Sequence, residues 1–124
     1  MEMTRAFVYY SRLVGNRACG FPLDVYISIK GACGNDRALA LDIWAANECL
    51  LILEILNKKE TLDILRTVYL EPFSKRPLRS VKKNEISTRI LHYAVKNHLD
   101  ERTVYRHLNK ACVLWQNIRE YGSP

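Results

Sequence analysis

The run from Arg37 to Leu56 contains neither glycine nor proline, and it narrows the fold more than any other feature. Leu39, Ile43, Ala46, Leu50, Leu53 and Leu56 recur three and four residues apart and form one helical face. Leu41, Trp44, Leu51, Ile52 and Ile55 widen that face to most of the circumference. A helix apolar nearly all round is a central, buried one, so Trp44 and Leu50 are expected in the core. Asn35 or Asp36 supplies the N-cap. Asp42, Asn47, Glu48 and Glu54 interrupt the run, and each is costly in lipid, so it does not read as a membrane span.

The rest of the chain reads as helices around that one. With 124 residues there is material for one core and not two. At 48% hydrophobic and 26% charged residues, the composition is that of a folded domain rather than a disordered segment. A helix over 4–14, with Thr4 as N-cap, turns Phe7, Tyr10 and Val14 inward. Pro22 suits the first position of a second helix, 22–31, although Val25, Ile27 and Ile29 also fit a short strand. Lys59 or Thr61 opens a helix that Glu71-Pro72 closes. Two prolines and five basic residues over 72–83 argue for a loop. Helical spacing returns over 85–98 through Ile86, Ile90, Leu91, Ala94 and Val95. Asp100 then caps a last helix, 101–119, with Val104, Leu108, Ala111, Cys112, Trp115 and Ile118 on one face. The expectation is an all-α protein, a single helical domain over 1–124 with a C-terminal helix-turn-helix within 85–119.

Charge gives the first functional hint. Nineteen Lys and Arg against thirteen Asp and Glu leave a net +6. Residues 72–110 alone hold ten basic and three acidic side chains, so essentially all of the excess lies there. A basic half beside a near-neutral half points to a polyanion, nucleic acid above all, as partner.

The stretch Ile90–Asn109 sits inside that basic region and meets most demands of a helix-turn-helix unit. Ala94 is the small residue where the two helices cross closely. Leu99 is the apolar plug after the turn, and Val104 and Leu108 are the inward anchors of the second helix. The turn position that usually holds glycine for its positive φ holds His98 instead, after Asn97. Both residue types are enriched among non-glycine residues with positive φ, so the turn is feasible at a cost. The second helix would enter the major groove, with Glu101, Arg102, Thr103, Tyr105, Arg106 and Asn109 as base-reading candidates. Arg pairs with guanine and Asn with adenine. Lys75, Arg76, Arg79, Lys82, Lys83 and Lys110 are the phosphate-contact candidates, adding affinity without sequence information.

Other chemistry finds little support. No glycine-framed serine, HExxH or phosphate-binding glycine loop occurs, so no catalytic residue and no enzyme activity is expected. His92 reads as a partly buried helix residue, and His107 and Cys112 stand on the wrong helical offset for a nucleophile–base pair. Cys19, Cys33, Cys49 and Cys112 lack paired spacing, which argues for reduced thiols, a cytoplasmic location and no metal or other cofactor. Glu2, Arg5 and Arg12 break up the first helix, so it does not read as a secretion signal. No membrane association is expected.

The string Thr103 to Ala111 running into Val113-Leu114-Trp115 resembles the final helix of sigma-factor region 4 and its phage relatives. The wider layout is similar to the small antitermination Q proteins of phages and prophages. Its elements are an aromatic-rich first helix, Gly20-Phe21-Pro22, Gly31-Ala32, the Arg37–Asp42 helix start, Leu65–Tyr69 and the helix-turn-helix. The resemblance implies an all-α protein of a bacterial host's cytoplasm. Such a protein binds double-stranded DNA near a late promoter and engages host RNA polymerase so that it reads through terminators. Some larger Q proteins carry a zinc-binding CxxC pair, which this chain lacks. The residues alone leave two alternatives, a conventional helix-turn-helix repressor or activator and a protein–protein adaptor with a basic face.

Overall fold

The computed structural model describes residues 2–14, 33–71 and 83–122. The expected helix 22–31 and all but the last residue of the basic loop lie outside the described residues. Those described form an all-helical single domain. Its helices are α1 (Glu2–Val14), α2 (Arg37–Ile55), α3 (Lys59–Leu65), α4 (Lys83–Lys96) and α5 (Glu101–Tyr121), and α3 continues into a π-helical turn, Arg66–Leu70. Among the described residues no helix is long and apolar enough to cross a membrane.

Capping follows the sequence closely at two of the starts. The Asp36 carboxylate accepts from the Leu39 N–H at 3.0 Å, and the Asp100 carboxylate accepts from the Arg102 N–H at 3.2 Å. Each satisfies a backbone donor that the first helical turn leaves open. Thr4 differs from expectation. The helix begins before it, and its hydroxyl donates instead to the Tyr69 hydroxyl at 3.2 Å, tying α1 to the π turn. Phe7 stacks on Tyr69 at the same seam, with ring centroids 5.7 Å apart.

α2 lies against α1, α3 and α5. Ile43, Ala45, Ala46, Cys49, Leu50 and Leu53 are buried. Trp44 is only half-buried, packed on the edge of the core, and Ile55 and Leu56 stand in solvent where the chain turns through Asn57 at φ 59°. The apolar circumference is thus covered along the middle of the helix and left open at its C-terminal turn.

Three side-chain contacts fix how α2 and α5 run. The Cys49 thiol donates to the Ala111 carbonyl at 3.8 Å. The Trp115 indole N–H donates to the Asp42 carbonyl at 3.0 Å, and Arg119 pairs with the Asp42 carboxylate. Numbers fall along α2 as they rise along α5, so the helices are antiparallel. The small residues Ala45, Ala46, Cys49 and Ala111 are fully buried here and let the two backbones approach. On the other side of α2, the Tyr10 hydroxyl donates to buried Asn47 Oδ1 at 2.8 Å and sets the register of α1.

Enlarging a buried alanine in this packing tests its tightness. Ala111→Leu is expected to lower unfolding free energy by about 1–3 kcal/mol, the usual result of overpacking, as measured by urea denaturation. Burial also pushes the Cys49 thiol up from 9.0 to about 12. A raised folded value favours the protonated form, so the stabilising contribution is complete below pH 9 and is lost between there and about pH 12. In the native protein Cys49 is expected to resist alkylation while Cys33 and Cys112 react, as mass mapping after brief iodoacetamide treatment would show.

Candidate nucleic-acid interface

α4 and α5 are joined by a four-residue connection, Asn97 to Asp100. His98 takes φ 55° in that turn, the left-handed conformation that glycine adopts without strain. The Leu99 N–H bonds to the Ala94 carbonyl at 2.8 Å and the Asn97 N–H to the Tyr93 carbonyl at 3.0 Å, closing the end of α4. The Asn97 side chain adds a bond to the same Tyr93 carbonyl at 2.9 Å. Ala94, Val104 and Leu108 are buried and Leu99 is half-buried against the core. The helix-turn-helix anchors that the sequence assigns to the inside are therefore buried or half-buried, whereas Leu91 and Val95, which share the apolar spacing of α4, are exposed.

Successive helical residues turn by about 100°, so residues at 102, 106, 109 and 113 line the side of α5 opposite Val104, Leu108, Ala111 and Trp115. Arg102, Arg106 and Asn109 are exposed there, with Tyr105 and Glu101 exposed beside them. The Arg102 and Arg106 guanidiniums engage no described residue in an ion pair or hydrogen bond. Thr103 is half-buried on the flank, so of the base-reading candidates it projects least. Asp100 and Glu101 place negative charge at the N-terminus of α5. That charge opposes a phosphate at the helix end and leaves anion contacts to the side chains.

Of the phosphate-contact candidates, Lys110 is exposed on α5. Lys75, Arg76, Arg79 and Lys82 lie outside the described residues, as does the side chain of Lys83. Lys96 adds an exposed cation on α4. Arg89 does not belong to this set, although it counts toward the basic excess. Its guanidinium donates to the Val68 carbonyl at 3.2 Å and the Glu71 carbonyl at 2.9 Å, at the C-terminal end of the π turn. Desolvation depresses its pKa, with nearby Glu71 opposing the shift.

The histidines divide differently from the sequence reading. His92 is exposed rather than partly buried, because it falls on the outer side of α4 with Val95 and Thr88. His107 is the half-buried one. Its Nδ1 lies 2.8 Å from the Thr61 hydroxyl, and its Nε2 lies 3.5 Å from a Glu60 carboxylate oxygen. One turn of α4 beyond Arg89, the Tyr93 hydroxyl donates to the Asp63 carboxylate at 2.8 Å. Burial first, and the Asp63 bond next, raise the Tyr93 pKa. These polar links between α3 and the helix pair were missed in the sequence. The available signal was position: Arg89 and Tyr93 share the inward side of α4 with Ile86 and Ile90, and His107 flanks Val104 and Leu108.

No protein-family model, no curated protein and no solved structure matches the chain.

The strained turn makes a direct prediction. His98 is exposed and its side chain makes no described hydrogen bond or ion pair, so His98→Gly chiefly removes strain. The variant is expected to gain about 1 kcal/mol in stability, read as a higher urea midpoint at unchanged slope.

Proposed function

We propose that this protein binds double-stranded DNA through α4 and α5 and regulates transcription, with α5 as the helix that enters the major groove. One observation carries the reading: exposed Arg102, Arg106 and Asn109 line the outer side of a helix that follows a positive-φ turn. A guanidinium can donate two parallel hydrogen bonds to guanine O6 and N7, and an Asn amide can do the same work on adenine. The Glu101 carboxylate is suited to accept from a cytosine amino group. Tyr105 adds an exposed ring beside them, and Thr103 contributes from the flank. Phosphates would be held by Lys110 and by the basic segment Lys75, Arg76, Arg79, Lys82 and Lys83, which fixes register without reading sequence.

The resemblance to small phage and prophage antitermination proteins gives the proposal its specific form. In that form the protein acts in a bacterial cytoplasm and contacts host RNA polymerase as well as DNA, so that transcription passes terminators. A conventional repressor or activator would use the same helix, and a terminator read-through assay with purified polymerase separates the two. An adaptor that docks an acidic protein on the basic face would lose its binding to no particular duplex.

The decisive experiment starts from a duplex selected from a random pool by the unaltered protein. Arg102→Ala and Arg106→Ala are each expected to remove about 1–3 kcal/mol of discrimination between that duplex and a scrambled one. Melting should barely move, since exposed substitutions change stability by within about 0.5 kcal/mol. Equal weakening on both duplexes would reduce these residues to phosphate contacts. Unchanged binding to both would sink the DNA reading.

A further inference from the structure

We infer that His107, held by Thr61, is a positioning residue that fixes the rotation of α5 and so aims Arg102 and Arg106. The inference rests on the DNA-binding reading above.

α3 touches both helices of the pair by polar bonds. It holds α4 through Asp63 and Tyr93, and its π-helical continuation is held by Arg89. It holds α5 through His107, with buried Thr61 at Nδ1 and Glu60 at Nε2. The same short segment therefore braces both α4 and α5, which also pack directly against each other.

The Trp115 and Arg119 bonds to Asp42 orient the C-terminal half of α5. Over the turns that carry Arg102 and Arg106, His107 makes the described side-chain hydrogen bond to another helix, and apolar contacts alone would define the rotation there poorly. Val104, Leu108 and Ala111 form a smooth row, and dispersion falls off gently with small displacements. A hydrogen bond is directional and weakens steeply when bent. His107 is adjacent to Arg106 in the chain, and both of its ring nitrogens face α3 side chains. A rotation of α5 by about 10° moves groups at a radius of about 6 Å by about 1 Å. Displacements of that size are enough to spoil a two-bond contact to a base edge.

Three variants test this. His107→Leu removes both ring contacts. His107→Asn keeps an acceptor near the former Nδ1. Thr61→Val removes the same bond from the other side at nearly constant volume. Affinity is measured on the selected and the scrambled duplex, at a temperature well below the lowest melting point of the set. His107→Leu and Thr61→Val are expected to cut the ratio of the two affinities by about tenfold, the equivalent of one good base contact, and to spare the scrambled duplex. His107→Asn should restore most of the ratio. A residue that merely supported the fold would lower the melting temperature and leave the ratio of the folded protein unchanged. An unchanged ratio in Thr61→Val, with Arg102→Ala and Arg106→Ala still collapsing it, overturns the positioning role and leaves the DNA reading in place. Equal weakening of both duplexes by the arginine variants removes base reading and the inference with it, while unchanged binding to both duplexes removes the DNA reading as well. Should His107→Leu fail to fold, Thr61→Val and His107→Asn decide alone.

Discussion

The close approach of α2 and α5 around Cys49 and Ala111 is the constraint on which the rest of the domain depends. A thiol in contact with the opposing main-chain carbonyl, among fully buried alanines, leaves no room for larger side chains. The most apolar helix is paired there with the last and longest one, far apart in sequence and antiparallel in space. Once the two are locked, Val104, Leu108 and Trp115 have a surface to bury against, and the opposite side of α5 has nowhere to go but solvent. Asp42 extends the lock by accepting from the Trp115 indole with its carbonyl and pairing with Arg119 through its carboxylate. Arg119 also lies over the Trp115 ring, its guanidinium carbon 5.7 Å from the centroid.

Around that apolar axis the remaining specificity is polar and sits at the edges. α3 is only seven residues long and runs into a five-residue π-helical turn, too short a helix to be stable by itself, so it depends on what surrounds it. The bonds from Arg89, Tyr93 and His107 meet this need, each reaching from the helix pair toward α3 or its end. Hydrogen bonds of this kind add modest net stability, yet they are directional where the core is not. Burial holds the domain together, and these bonds set how its last two helices face outward.

Much of this was legible in the sequence. The spacing of Leu39, Ile43, Ala46 and Leu50 marked α2 because burial on a helix repeats every three or four residues. Asp36 and Asp100 marked helix starts because a short carboxylate at that point can reach an open N–H. His98 in the glycine position foretold a positive φ, since few other residue types occupy it. What remained hidden depended on tertiary neighbours. Arg89 looked like one more surface cation, and nothing local says that two carbonyls of a distant turn wait for it. His107 reads as polar, and its half-burial arises only when α3 lies beside α5. The π turn over Arg66–Leu70 has no short-range signature of its own, and Thr4 was drawn from an expected capping role by a tyrosine in that turn.

α5 is anchored unevenly along its length. From Ala111 to Arg119 it is bound to α2 by packing, an indole hydrogen bond and an ion pair, while the turns carrying Arg102 and Arg106 are held by Val104, Leu108 and the contacts of His107. It is a cantilever, clamped at one end and loaded at the other. Backbone amides in such a helix exchange with solvent unequally, slowest over the clamp and fastest toward the tip, because local opening draws on the weaker contacts first. A ligand gripping the tip would then slow exchange there and stiffen the helix from the end that the fold itself holds least.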